Sequence, residues 1–305
     1  MNNYLDKLNE LKSQVLNARI VRLEAIEKEF HLQGEIYAKI EDKNLTGSIK
    51  DIPALEMFIS AYKNNKLDDK TILIEPTSGN MGISISYIAH YLGLKAIIVM
   101  PSSMSKQRRD LIKKAGGELL LIDGGMKECT DKVEELLNNE KHYLCLSQFN
   151  NLANPMSHFC ITGPEIYKEI KDVDYIVAGI GTGGTISGIG KYFKSIKSET
   201  KIVGLEPEES PLLTLGYAGK HKIQGIGANF RPNTFLKEYV DEIITINSDE
   251  AIQMRETIFH LENINVGISS GANLCGGIKL LKEHPFSKVV VIFPDRGDRY
   301  DEIND

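Results

Sequence analysis

The sequence predicts an α/β protein with two three-layer αβα lobes, each built on a mostly parallel, twisted sheet. Short, continuously apolar runs alternate with helical segments, a pattern typical of parallel βαβ units. The chain has 305 residues, more than one hydrophobic core usually organises, so two lobes are expected. We place the boundary at an asparagine-rich, proline-containing stretch, giving lobes of residues 1–150 and 151–305. Part of residues 13–39 is expected to pack with the second lobe.

Individual elements follow from apolar runs and from helix start and stop signals. In the first half, the predicted strands are 72–74, 96–100 and 119–122, and the predicted helices are 81–92 and 105–115. In the second half, the predicted strands are 175–178, 202–205 and 289–293, with a helix over 186–196. Another helix follows Lys50, with Pro53 in its first turn, and Gly93 is typical of a helix C-cap. Ligands of such sheets bind at the carboxyl ends of the strands, so the loops there are the candidate sites.

Composition excludes several classes of protein. The net charge is −6 with no basic stripe, which argues against nucleic-acid binding. No apolar run reaches the roughly 20 residues needed to cross a bilayer, so no membrane association is expected. The four cysteines lie too far apart for a CxxC motif and no signal peptide precedes them, which predicts reduced thiols and a cytoplasmic location. The seven histidines lack metal-binding spacing, so no metal is predicted.

A glycine-rich loop between a predicted strand and a predicted helix is the first candidate site. Its residues are Gly181, Thr182, Gly183, Gly184 and Thr185. Inward-turned N–H groups, the positive end of a helix and two hydroxyls together form a phosphate-binding cup. Residues 179–184 also fit GxGxxG, and Glu206 lies at the offset of a ribose-binding acid, so a nicotinamide-dependent oxidoreductase is an alternative. A tight turn without a ligand is a further alternative.

Lys50 and a second loop suggest a cofactor that forms an imine. A partly buried lysine near a helix N-terminus should have a lowered pKa, as an imine-forming lysine requires. In the loop 75–80, Thr77, Ser78 and Asn80 supply two hydroxyls and a carboxamide, which suit a carboxylate or a phenolic oxygen. Simple capping of the next helix is the alternative. Together, two anion-type loops and one lysine favour an adduct of pyridoxal phosphate (PLP) with an amino acid.

A GxSxG match over residues 267–271 points to hydrolases, but only weakly. Glu283 and His284 are the only acid and histidine that follow as a pair, and they are adjacent, which makes a poor catalytic triad. Under the PLP interpretation, Ser270 instead offers its hydroxyl to the pyridine nitrogen. A neutral partner there weakens the electron sink, which suits β-elimination better than transamination.

These motifs resemble the cysteine synthase (O-acetylserine sulfhydrylase) and cystathionine β-synthase family, PLP enzymes of fold type II with a tryptophan synthase β-like fold. The similarity runs from residue 20 to residue 300. Its long motifs cover residues 75–80, 162–166, 181–185, 221–228 and 267–272. Because the GxGxxG and GxSxG matches are short and generic, the resemblance leaves the oxidoreductase as a distant alternative.

The resemblance implies a role for each of these residues. Lys50 would hold PLP and move the α proton, Asn80 would bond the ring oxygen, and Ser270 would face the ring nitrogen. The loop 181–185 would hold the phosphate. The residues implied for the substrate carboxylate are Thr77, Ser78 and Gln148. The implied reaction is β-replacement through an aminoacrylate, making L-cysteine from O-acetylserine and sulfide. A homodimer is implied as well, and family analogy suggests a serine acetyltransferase as a partner.

Departures from the family pattern cluster on the substrate side. Met81 stands where the family usually has threonine, Ile52 replaces an arginine, and residues 45–46 replace a Pro-Ala pair. Asn229 follows Gly-Ile-Gly-Ala, where cysteine synthases usually carry glycine. We therefore expect Met81 and Asn229 to be substrate-binding, with Asn229 contacting the β-substituent or the incoming nucleophile. The alternative activity uses L-cysteine as the donor, releases hydrogen sulfide and gives serine, lanthionine or cystathionine.

Overall fold

The structure, a computed structural model, describes residues 4–15 and 18–300. The strands are β1 (Arg19–Arg22), β2 (Glu35–Ile40), β3 (Ile72–Pro76), β4 (Lys95–Pro101), β5 (Glu118–Ile122), β6 (Tyr143–Leu144), β7 (Tyr175–Gly179), β8 (Lys201–Pro207), β9 (Glu242–Ile246) and β10 (Lys288–Phe293). The helices are α1 (Tyr4–Gln14), α2 (Glu24–Glu29), α3 (Asp51–Lys63), α4 (Asn80–Leu92), α5 (Lys106–Lys114), α6 (Met126–Asn139), α7 (Ala153–Cys160), α8 (Thr162–Glu169), α9 (Gly184–Ser195), α10 (Leu212–Leu215), α11 (Ser248–Glu262) and α12 (Ile268–Glu283). Two 3₁₀ turns cover Lys237–Tyr239 and Gly297–Arg299. None of the helices in this part of the chain is long and apolar enough to cross a membrane.

The strands of the described residues form two sheets. The larger sheet has the order β1-β2-β10-β7-β8-β9, and the smaller one has the order β5-β4-β3-β6. Every pair is parallel except β1 with β2. The central strands are continuous apolar runs, as expected for parallel strands covered by helices on both faces. The predicted fold class, α/β with mostly parallel sheets, is confirmed.

The predicted elements match the structure closely where the local signals were strong. The helix predicted over 81–92 is α4, which spans Asn80–Leu92. Its C-cap is Gly93, in the left-handed conformation with φ of 79°, which glycine adopts without steric cost. The strand predicted over 202–205 is longer in the structure, because β8 continues through Glu206 to Pro207.

Residues from the N-terminal half also contribute to the larger sheet. Strand β2 pairs in parallel with β10, from Glu35 opposite Lys288 to Ile40 opposite Phe293. Strand β1 then pairs antiparallel with β2 and forms one edge of the sheet. Residues 19–40 therefore belong structurally with the later strands, while a lobe boundary at residue 150 stays a prediction.

Close packing of α12 on the larger sheet fixes the start of that helix. A Cβ atom on Gly277 would lie 2.6 Å from Cγ1 of Val291 in β10, and one on Gly276 would lie 2.9 Å from Leu205 in β8. Side chains at these positions would push the helix away from the sheet. The two glycines thus bring the N-terminus of α12, which carries Ser270, down to the ends of the strands.

Candidate active site

A cavity lies between the two sheets, where loops at the carboxyl ends of strands from both sheets meet. It encloses about 530 Å³, part of which is open to solvent, a size suited to a small ligand. Its polar lining residues are Lys50, Asn80, Thr182, Thr185, Ser269, Asn273 and Asp295, and glycines 179, 181, 183 and 225 supply bare backbone. The structure therefore brings the predicted lysine, Asn80 and the glycine-rich loop into one site, as the strand-end rule leads us to expect.

Lys50 lies directly before α3, as its N-cap residue, and its half-buried side chain lines the cavity. Burial lowers the pKa of Lys50 below its ordinary value, because a cation loses hydration there. The carboxylate of Asp295 opposes this lowering of the pKa. A lysine with a lowered pKa supplies a neutral amine more readily, which is the form that attacks a carbonyl or accepts a proton.

The glycine-rich loop has little space for side chains. A Cβ atom on Gly181 would lie 2.2 Å from the carbonyl oxygen of Gly225, and one on Gly184 would lie 2.0 Å from Oδ1 of Asn154. Gly183 has φ of 75°, in the left-handed region, and caps the N-terminus of α9. The first N–H groups of a helix have no intrahelical acceptor, so this turn attracts an anion.

His158 supports the hydroxyl at the end of this loop, a contact that the sequence analysis missed. Its Nδ1 lies 2.9 Å from Oγ1 of Thr162, and its Nε2 lies 3.2 Å from Oγ1 of Thr185. Burial, together with the charges of Lys50 and Lys39, lowers the pKa of His158 well below its ordinary value. A neutral His158 can donate to Thr185 through Nε2 and accept from Thr162 through Nδ1, which leaves the Thr185 hydroxyl proton free for the cavity.

Asn80 is held on both sides of its carboxamide. Its Nδ2 donates to Oδ2 of Asp295 over 2.6 Å, and its Oδ1 accepts from Nη1 of Arg299. The hydroxyl of Tyr300 donates to the same Asp295 oxygen over 2.7 Å. Asp295 was also missed from the sequence. It follows the last predicted strand after one proline, so the strand-end rule could have found it.

Thr77, Ser78 and Gln148 lie beside the cavity and are not among its lining residues. Nε2 of Gln148 donates to Oγ1 of Thr77 over 3.4 Å, and both side chains are buried. Ser78 is half-buried, and its carbonyl oxygen accepts from Nη1 of Arg108 over 3.4 Å. Thr77 and Ser78 lie just before α4 and Gln148 bonds to Thr77, so the three residues form one wall near the start of that helix.

Met81 and Asn229, the predicted substrate-side departures, are not among the cavity-lining residues either. Met81 is the second residue of α4, only 1% exposed, and it packs in the main hydrophobic core. Asn229 is exposed. It lies between Ala228 and Phe230, which line a second, smaller cavity that shares Gly181 with the first.

The residues of the first cavity fit PLP. Oγ of Ser270 is fully buried and has no hydrogen-bond partner among the described residues, so it is available to a ligand. Ser270 is not itself among the cavity-lining residues, but its neighbour Ser269 is. Together with the amine of Lys50, the carboxamide of Asn80 and the glycine-rich turn, this hydroxyl matches a ligand that has an aldehyde, a phenolic oxygen, a ring nitrogen and a phosphate.

The acid proposed for ribose binding has another function in this fold. The carboxylate of Glu206 is 2% exposed and accepts from the backbone N–H groups of Leu213 and Thr214, over 2.8 and 2.9 Å. It also accepts from the hydroxyl of Thr214. Because α10 already occupies both carboxylate oxygens, Glu206 is not free to bind a ribose, which removes the main support for a nicotinamide cofactor.

Comparison with known proteins agrees with the geometry. Residues 11–295 match the family described as pyridoxal-phosphate dependent enzymes, and the chain belongs to that family. Cysteine synthase B of Campylobacter jejuni is 42% identical over 298 residues, which cover 96% of this chain and 97% of that protein.

Two solved structures are similar along almost the whole chain. A hydrogen sulfide-producing enzyme from Fusobacterium nucleatum has a TM-score of 0.91 and 38% identity, covering 95% of this chain and 97% of that one. Cysteine synthase from Entamoeba histolytica has a TM-score of 0.91 and 34% identity, covering 95% and 88%. These findings confirm the resemblance to cysteine synthases, the PLP cofactor and the enzyme class, a PLP-dependent β-replacing enzyme.

Proposed function

We propose that the protein makes L-cysteine from O-acetylserine and sulfide by β-replacement. The observation that carries this proposal is the meeting of three features in one cavity: the amine of Lys50, the carboxamide of Asn80 and the glycine-rich turn. The names of the relatives from C. jejuni and E. histolytica support the same substrates. The reaction needs a small amino acid as donor and sulfide or a thiol as nucleophile.

Each residue has a defined task in this proposal. PLP, when bound, supplies an electron sink for the negative charge that develops on the α carbon of the substrate. The loop 181–185 and the N-terminus of α9 hold the phosphate, and Asn80 donates to the ring oxygen. Ser270 directs its otherwise unpartnered hydroxyl to the ring nitrogen. Lys50 would hold the cofactor covalently, and once the substrate amine has displaced it, its Nζ would take the α proton as a neutral amine, a form that its lowered pKa favours.

The substrate carboxylate is assigned to Thr77, Ser78 and Gln148. The first turn of α4 starts at this wall, and its positive dipole end favours an anion there. Met81 affects this wall indirectly, because its buried side chain helps to hold the first turn of α4 in place. Since Asn229 is exposed outside the cavity lining, its contact with the β-substituent or nucleophile requires the loop that carries it to move toward the substrate.

A second candidate activity uses L-cysteine as the donor, with release of hydrogen sulfide and formation of serine, lanthionine or cystathionine. The similarity to the hydrogen sulfide-producing enzyme of F. nucleatum, at 38% identity, favours it. Both activities share the same cofactor, base and carboxylate site. They differ in the leaving group, and therefore in what the cavity accepts at the β carbon.

The two activities are separated by offering each donor alone to the purified holoenzyme. We expect L-cysteine to form from O-acetylserine and sulfide, with products identified by mass. Rapid sulfide release from L-cysteine, with slow turnover of O-acetylserine, would instead establish the second activity. The Lys50→Ala variant is the control, and it should lose at least about a hundred-fold in rate with either donor. Asn229→Gly then tests the role of Asn229, since unchanged kinetics with both donors would remove it from the site.

We further propose that the enzyme is a cytoplasmic homodimer. Cys129, Cys145, Cys160 and Cys275 are all free thiols, which supports a reducing compartment. A serine acetyltransferase is the partner suggested by the cysteine synthase relationship. Light scattering of the purified protein tests the dimer, and a mass corresponding to one chain of 34.0 kDa would contradict it.

A further inference from the structure

Asp295 is a buried acid in the cavity to which the sequence motifs assign no role. It follows β10 after Pro294, is 2% exposed and lines the same cavity as Lys50 and Asn80. Its Oδ2 accepts from Asn80 and from Tyr300, while its Oδ1 is buried without a partner among the described residues. A buried carboxylate oxygen without a hydrogen-bond partner is costly to keep, so the position of Asp295 calls for an explanation.

The hydrogen bonds around Asn80 supply that explanation. The carboxamide of an asparagine can turn over, exchanging its oxygen and its NH₂ group, unless its neighbours distinguish the two. Here a carboxylate, Asp295, faces the NH₂ group, and a guanidinium, from Arg299, faces the oxygen. Turning the carboxamide over would set its oxygen against the carboxylate and its NH₂ group against the cation. One orientation of Asn80 is therefore strongly favoured.

This orientation also determines what Asn80 offers to a ligand. Its oxygen is occupied by Arg299, and one of its two N–H groups is occupied by Asp295. What remains is a single N–H donor. A phenolic ring oxygen that carries negative charge needs a donor and is repelled by an acceptor, so the pair Asp295 and Arg299 selects the useful face of Asn80.

We propose that Asp295 is a positioning residue that, together with Arg299, locks the carboxamide of Asn80 so that its free N–H faces the ring oxygen of the cofactor. The inference rests on the proposed role of Asn80. Asp295 itself acts through Asn80. It joins the end of β10 in the larger sheet to the start of α4 beside the smaller one, so the lock also sets the distance between two halves of the site.

The test changes the acceptor Asp295 in two variants and measures the affinity for the cofactor and its visible absorbance maximum. Asp295→Ala deletes the hydrogen bond to Asn80 and should weaken cofactor binding about ten-fold, the value of one hydrogen bond, and shift the visible absorbance maximum. Asp295→Asn keeps the size and one acceptor oxygen, so it should move both quantities in the same direction by less. Asp298→Asn, a change on an exposed side chain three residues away, is the matched control and should leave both unchanged.

A double-mutant cycle with Asn80→Ala separates this inference from the function on which it rests. If Asp295 acts through Asn80, then Asp295→Ala should change neither the cofactor affinity nor the absorbance maximum further in the Asn80→Ala background. Full additivity of the two changes would overturn the inference, as would an unaltered band in both Asp295 variants. If Asn80→Ala alone had no effect on the cofactor, the assignment of Asn80 itself would be wrong.

Discussion

Glu75 holds together the wall to which we assign the substrate carboxylate. It lies in β3, and its carboxylate accepts from the backbone N–H groups of Leu146 over 3.0 Å, Ser147 over 3.0 Å and Gln148 over 3.2 Å. The thiol of Cys145 donates to it as well, over 3.2 Å. Burial raises the pKa of Glu75, and these hydrogen bonds oppose that rise because every one of the groups donates to the ionised carboxylate.

The change Glu75→Gln keeps the shape and replaces one acceptor oxygen with an NH₂ group. In the least harmful orientation, the amide oxygen takes the position that faces Leu146 and Ser147, and the NH₂ group then faces the N–H of Gln148. A buried donor left unpaired costs about 1–3 kcal/mol, and two charge-assisted hydrogen bonds become neutral ones, which costs about 1 kcal/mol each. Since removal of a buried charge offsets part of this sum, we expect a loss of about 3 kcal/mol in the free energy of unfolding.

Thermal unfolding of the holoenzyme measures the loss, which should lower the Tm by about 5 °C for a chain of this size. Because Gln148 would lose the bond that fixes its backbone, the KM for the amino-acid substrate should rise about ten-fold, the value of one hydrogen bond, with a smaller change in kcat. Glu118→Gln is the matched control, since the side chain of Glu118 is 59% exposed and pairs with Lys95 at the surface. An unchanged Tm and KM in Glu75→Gln would refute the reasoning.

Three further predictions follow from buried groups in and near the site. Gly181→Ala should weaken cofactor binding by about ten-fold or more in a titration of the cofactor-free protein, because its Cβ would meet the carbonyl oxygen of Gly225; wild-type affinity would contradict this. Burial lowers the pKa of Lys50 in the folded protein. As the pH falls below 10.5, Lys50 therefore gains its proton in the unfolded chain before it does in the folded one, which destabilises the fold. Lys50→Met should therefore raise the Tm of the cofactor-free protein at neutral pH, and the gain should vanish above that pH; a constant gain across the range would argue against a lowered pKa. Lys39→Met should destabilise by about 3 kcal/mol or more in urea unfolding, since Lys39 pairs with the fully buried Glu41 over 2.9 Å and its loss leaves the carboxylate without this counter-ion; unchanged stability would contradict a contribution of this pair.

Local sequence signals predicted the strands and helices that carry the site. Apolar runs bounded by glycine or proline marked β3, β4 and β10, and Pro53 and Gly93 marked a helix start and a helix end. These signals act between residues close in sequence, which is why they survive without knowledge of the fold. The two candidate loops were found from the rule that the carboxyl ends of parallel strands meet at one edge of a sheet, and Lys50 was found from its place before a predicted helix.

Pairings between distant segments were much harder to predict. Nothing in residues 35–40 indicates that they pair with residues 288–293, because a strand carries its apolar pattern but not the identity of its partner. The same limit applies to Asp295, whose importance rests on contact with Asn80, over two hundred residues earlier. Met81 shows a third form of this limit. The family pattern located it beside the substrate loop, but the rotation of α4 turns its side chain into the core.

The central claim is that Lys50 holds PLP in this cavity, and reductive trapping tests it most directly. Borohydride treatment of the holoenzyme, followed by proteolysis and mass spectrometry, identifies the lysine to which the cofactor becomes permanently attached. We expect a phosphopyridoxyl group on the peptide that contains Lys50, together with loss of the visible absorbance band. Attachment to any other lysine, or reduction that leaves every lysine unmodified, would contradict it.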